Sequence, residues 1–175
     1  MYDLKAYGEM MSDRVRMDAY AEALRRAVKP GCVVLDIGTG TGIFAMLACR
    51  FGARRVYAVE PNNVIEVARI VAAANGYAER IEFIQRLTTG IDLPERADVV
   101  VADLRGVLPC FYNNISTMID ARDRHLADGG VLIPQQDTLW VAVIEAPGLY
   151  REKIGAWDEC GLDFDWTAAR RMALN

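Results

Sequence analysis

CVVLDIGTGTGIFAMLACRFG, residues 32–52, decides the fold. It opens on an apolar run, passes through Gly38, Gly40 and Gly42, and resumes as the helix-like IFAMLACRFG. A strand that is apolar without alternation is buried on both faces, which is the condition of strands in a helix-covered parallel sheet. The pattern then repeats. RVYAVE is a second strand, NVIEVARIVAAANG a second helix ended by Asn75-Gly76, and RIEFIQR and ADVVVAD are third and fourth strands. NNISTMIDARDRHL reads as a further helix, Gly129-Gly130 as the turn into VLIP, and DTLWVAVIEA as the last clear strand. Upstream, Ser12 is placed to cap a helix whose apolar positions Val15, Ala19, Ala23 and Ala27 recur until Pro30-Gly31. Strands alternating with helices predict an α/β, doubly wound, mostly parallel sheet. From Pro147 onward YREKIGAWDECGLDFDW mixes aromatics and acids without clear periodicity, and reads as an appendage.

Bulk properties narrow the function. A chain of 175 residues with 53% hydrophobic and 25% charged residues has the composition of one ordinary globular domain. A net charge of −4 points away from non-specific nucleic-acid or membrane binding, although a local basic patch is compatible with it. No apolar run reaches the roughly 20 residues that span a bilayer, and the N-terminus lacks a signal core, so a cytoplasmic location is expected. Cys32, Cys49, Cys110 and Cys160 form no C-x-x-C pair and read as reduced packing residues. His125 is the only histidine, which disfavours a zinc site and Ser-His-Asp or Cys-His hydrolysis.

The glycine loop lies where an open parallel sheet binds small ligands. The third glycine of a dinucleotide G-x-G-x-x-G would fall on Ile43, and the Gly-Lys-Ser/Thr end of a P-loop is absent. Asp36 beside the loop would repel a pyrophosphate and suits a ligand carrying positive charge. Glu60 ends the second strand, where a carboxylate can accept both hydroxyls of a ribose. A cationic nucleoside with a free diol fits S-adenosylmethionine. The plainer alternatives are that Asp36 caps the next turn and that Glu60 is simply solvated.

VLDIGTGTGIFAMLACRFGARRVYAVE, YGEMMSDRVRMDAY and ARDRHLADGGVLIPQQDTLW together resemble the protein arginine methyltransferases, across nearly the whole chain. The resemblance implies a Rossmann-like methyltransferase sheet and S-adenosylmethionine as cofactor. It implies an N-terminal helical cover over residues 1–30, a cofactor-binding domain over 31–146, and the start of a truncated barrel-like region over 147–175. It places Met11 (or Met10) near the sulfonium and Arg16 at the methionine carboxylate. Asp36, Gly38, Thr39, Gly40, Glu60, Pro61 and Thr88 fall along the rest of the cofactor. A surface ion pair for Arg16 and core packing for the methionines are the alternatives.

The departures from that family concern the acceptor. Of the two glutamates that clamp a substrate guanidinium, the first falls on Asp103 and the second on Tyr112, followed by Asn113. Arg105 adds positive charge, favouring a neutral or anionic acceptor or an internal Asp103–Arg105 pair. The family's acidic residue near the adenine is replaced around Thr88-Thr89. The expected activity is methyl transfer to a nucleophile on a protein, peptide or small molecule, with Asp103, Tyr112 and Asn113 on the acceptor side. The alternative is a non-catalytic binding or regulatory subunit of the same fold. The barrel's dimerisation arm has no counterpart, so the chain is either a fragment or a pared-down form. A homodimer is open to it only if the full chain is longer.

Overall fold

The computed structural model describes residues 4–104, 113–159, 161 and 164–174. The chain divides into two compact units, 1–137 and 138–175. In the first, five parallel strands stand in the order β3-β2-β1-β4-β5: β1 (Val33–Ile37), β2 (Arg55–Val59), β3 (Ile81–Ile84), β4 (Ala97–Ala102) and β5 (Leu126–Ile133). The register runs Leu35 beside Tyr57 on one side and beside Val100 on the other. All five residues of β1 are buried, which is why the apolar run shows no alternation.

Helices clothe the sheet. On one face α2 (Arg14–Ala27) and α3 (Ile43–Arg50) pack Tyr20, Leu24, Phe44 and Ala48 over Val34, Val56, Val99 and Val101. The other face joins Val33, Leu35, Ile37 and Val100 to Ala121 and Ile91. There α5 (Asn114–Asp120) runs on into a turn of π-helix, Ala121–His125. Among the described residues of this unit the remaining α-helices are α1 (Leu4–Ser12) and α4 (Ile65–Ala74).

The start of α2 differs from the expectation. Asp13, not Ser12, is the N-cap, accepting from the Arg16 amide at 3.1 Å, while Ser12 Oγ donates to the Glu9 carbonyl inside α1. The buried stripe is Tyr20, Leu24 and Val28, and Val15 is 85% exposed. Larger side chains bury more apolar area than the alanines that also fit the spacing, so they claim the core.

The second unit departs further. DTLWVAVIEA joins no ladder among the described residues, and Trp140, Val141 and Val143 are almost fully exposed. Its composition favours a strand, but a strand needs a neighbour for its backbone hydrogen bonds. The stretch read as aperiodic forms α6 (Pro147–Asp158), with proline in its first turn, followed by α7 (Thr167–Leu174). The Arg170 guanidinium joins the two helices, meeting Asp158 at 2.8 Å and donating to Tyr150 Oη at 2.9 Å.

Candidate active site

The site gathers at the carboxyl ends of β1, β2 and β4. Gly38, Gly40 and Gly42 all have positive φ, so the loop after β1 folds back in a conformation that side chains rarely adopt. A Cβ on Gly40 would lie 2.7 Å from the ring of Tyr7, and one on Gly38 would strike the Leu104 side chain. The loop is therefore roofed by α1 on one side and by the residue after Asp103 on the other. Neither Tyr7 nor Leu104 was marked as a site residue by the sequence. A glycine signals that something comes close without naming what does.

Two buried acids bracket the loop. Glu60, 4% exposed, accepts from the Gly40 amide through Oε2 at 3.3 Å. Its Oε1 accepts from the Asn62 amide and side chain at 2.9 and 2.7 Å. A carboxylate offers about four acceptor sites, so three protein donors leave room for a further one. Asp36, fully buried, accepts through Oδ2 from Thr39 Oγ1 at 2.6 Å and from the Ala45 amide at 3.0 Å, while its Oδ1 is buried without a partner. The capping role held open for Asp36 is thus real, and it occupies only one of the two oxygens. Burial, helped by the Glu60 and Asp103 charges, pushes the Asp36 carboxyl up to about 7 against the hydrogen bonds from Thr39 and Ala45.

That shift has a measurable consequence. A group whose folded value is raised favours folding below its ordinary range, near 3.8, and the contribution is lost as pH rises through about 7. Asp36→Asn should therefore become progressively more stable relative to the parent from pH 5 to pH 8. The relative gain should approach roughly 1.4 kcal/mol per pH unit below the folded value. Urea unfolding of both proteins without ligand checks it, and a difference constant with pH would contradict the assignment.

Arg16, from the first turn of α2, reaches across to the mouth of β4. Its Nε donates to Asp103 Oδ2 at 2.6 Å and its Nη2 meets the same oxygen. Asp103 is thus engaged by Arg16; Arg105 and Tyr112 lie outside the described residues. Met11 Sδ accepts from Thr41 Oγ1 at 3.2 Å, which ties α1 to the glycine loop. Asn113 is the N-cap of α5, receiving Ser116 Oγ and the Thr117 amide on its carbonyl. Thr39 and Thr88 are buried, and Pro61 is exposed. The fold therefore assembles Asp36, Gly38, Thr39, Gly40 and Glu60 in one loop cluster, with Met11 bridged to it by Thr41, and sets Arg16 and Asp103 beside it. Among the described residues no group of three His, Cys, Asp or Glu could hold a metal ion.

Acids converging on a glycine loop, with backbone open to close approach, suit a nucleoside that carries positive charge and a diol. The unpartnered Asp36 oxygen and the spare acceptor site on Glu60 are donor-seeking in the same place.

Known proteins resemble this chain in both sequence and fold. The family described as ribosomal protein L11 methyltransferase (PrmA) matches residues 19–147. The chain is 43% identical over 140 residues to protein arginine N-methyltransferase PRMT10 of Oryza sativa subsp. japonica, covering 79% of this chain and 37% of that protein. The crystal structure of protein arginine methyltransferase 10 of Arabidopsis thaliana superposes with a TM-score of 0.81 at 36% identity, over 90% of this chain and 45% of that one. The Trypanosoma brucei PRMT1 enzyme-prozyme heterotetrameric complex with AdoHcy gives 0.78 at 26% identity, over 96% and 53%. The chain thus spans well under two thirds of these relatives.

Proposed function

The chain belongs to the class I S-adenosylmethionine-dependent methyltransferases, in their protein arginine methyltransferase-like group, and from that premise we propose that it binds S-adenosylmethionine and methylates arginine on a protein or peptide. The observation that carries the reading is the pair of buried acids, Asp36 and Glu60, around the positive-φ loop. Glu60 has an acceptor site left for a ribose hydroxyl, and Asp36 Oδ1 for a donor on the cationic portion. Arg16 offers its guanidinium to the methionine carboxylate while Asp103 holds it in place.

When bound, S-adenosylmethionine supplies an activated sulfonium methyl. The protein's own work is then positioning and exclusion of water, with Tyr7 and Leu104 walling the loop and Asp103 facing the acceptor. Asp103 can orient a guanidinium or take its proton, because a carboxylate accepts from either of two N–H groups.

One observation favours a second acceptor class: the Asp103 charge is already matched by Arg16, which lowers the local attraction for a cation. A neutral nucleophile on a protein or small molecule would suit that balance. Isothermal titration with S-adenosylmethionine and S-adenosylhomocysteine tests the cofactor, and heat from neither would overturn the proposal. Mass spectrometry of arginine-containing and arginine-free peptides then separates the acceptors. Methylation confined to arginine is the expected result, and turnover on arginine-free peptides would give the second class.

A further inference from the structure

Beyond the loop, after the carboxyl end of β3, lies a cluster that the reading above leaves unused. The turn Thr88–Gly90 follows the carboxyl end of β3, whose last carbonyl, Ile84, accepts from the Glu60 amide at 3.2 Å. Two consecutive residues of the π-turn hold it from below. Arg124 Nη1 donates to the Thr89 carbonyl at 3.3 Å, and Nη2 donates to that of Ile91. His125, 3% exposed, presents Nε2 to Arg124 Nη2 at 3.0 Å and shares a hydrogen bond with the Thr88 main chain.

This geometry fixes the state of the ring. A guanidinium can only donate, so Nε2 must be the acceptor, and the imidazole is neutral with its proton on Nδ1. That leaves Nδ1–H for the Thr88 carbonyl. A second proton would put N–H against N–H and a cation against a cation. The charged groups facing His125 are Arg124 on its own turn, Asp120 at the end of α5, and Asp92 in the segment after Ile91. Asp120 and Asp92 also meet the Arg124 guanidinium, at 3.4 and 3.7 Å. Burial, then Arg124, lowers the proton affinity of His125 against the opposing pull of Asp120, Thr88 and Asp92.

We propose that Arg124 and neutral His125 are positioning residues for the Thr88–Gly90 turn, so that protonation of His125 and occupancy of the cofactor site oppose each other. The inference rests on the cofactor reading given above. The mechanism is mechanical: charging His125 breaks its contact with Arg124, frees the guanidinium toward Asp120 and Asp92, and releases the Thr88–Gly90 turn, which the cofactor reading places along the ligand. Linkage makes the effect reciprocal. If acid weakens the cofactor complex, the cofactor must lower the proton affinity of His125 by the same factor.

His125 is the only histidine, so its ring Hε1 signal in proton NMR reads this group alone. The experiment titrates that signal in the wild-type protein with and without saturating S-adenosylhomocysteine, alongside calorimetric affinities from pH 5.5 to pH 8. The expected result is a midpoint moved to lower pH by the ligand, and an affinity about twofold to fivefold weaker at pH 5.5 than at pH 8 through this group. His125→Asn keeps an acceptor for Arg124 and cannot titrate, so its affinity should lose that part of the pH dependence. Identical midpoints with and without ligand would overturn the proposal while leaving the cofactor reading intact. Absence of any S-adenosylhomocysteine binding at pH 8 would instead overturn the cofactor reading, and this proposal with it. A purely structural His125 would change stability on substitution but would not move its midpoint with ligand.

Discussion

Glu60→Ala is expected to weaken binding of S-adenosylhomocysteine by about 100-fold, measured by isothermal titration near neutral pH. Glu60 is a buried charge with three protein donors already on it, from Gly40 and twice from Asn62. Hydrogen bonds to a charged group are worth about 1.5–3 kcal/mol each, so the one acceptor site left on this carboxylate carries about one to two orders of magnitude for a ribose hydroxyl. The alanine also removes the acceptor that holds the Gly40 amide, which loosens the loop. Glu60→Gln separates the two effects. It keeps the volume, offers a single carbonyl oxygen and turns an NH2 toward the existing donors, so its loss should fall between wild type and alanine. An unchanged affinity in the alanine variant would remove Glu60 from the cofactor site.

The second large effect concerns Arg16 and Asp103. Asp103→Ala is expected to lower kcat/KM for methyl transfer about 100-fold, Arg16→Ala to lower it by a comparable factor, and the double variant to be little worse than either. The pair is largely shielded, with side chains 32% and 15% exposed, and its members lie 87 positions apart in the sequence. Removing one partner leaves the other charge partly desolvated and free to turn elsewhere, so removing the second adds little further cost. Arg16 variants should raise the KM for the cofactor. Asp103→Asn, which keeps an oxygen for Arg16, should act mainly on kcat. Strict additivity in the double variant would show that the two residues act independently.

The four leading strands were legible because burial on both faces forces an unbroken apolar run, as in Val33–Ile37, and little else in a chain of this length produces one. The loop glycines were legible because positive φ selects for glycine directly. Arg16 and Asp103 could each be marked, but their partnership could not, since it depends on how α2 lies over the end of β4. The same holds for Tyr7, whose ring position over Gly40 has no local signature. The helix α6 went unmarked because its own periodicity is weak. DTLWVAVIEA was misread for the opposite reason: its local preference is strong, and the partner strand that preference requires is missing among the described residues.

That bare ribbon has a bearing on how the molecule behaves in bulk. Leu139–Ile144, LWVAVI, is uncharged and rich in β-branched and aromatic residues, with Trp140 90% and Val141 96% exposed. Segments of this kind template pairing between chains. A net charge of −4 spread over the rest of the surface does little to oppose so local an attraction. The six residues Leu139–Ile144, more than the isoelectric point, are therefore expected to set the self-association of this polypeptide, and its tendency to stick will grow with concentration.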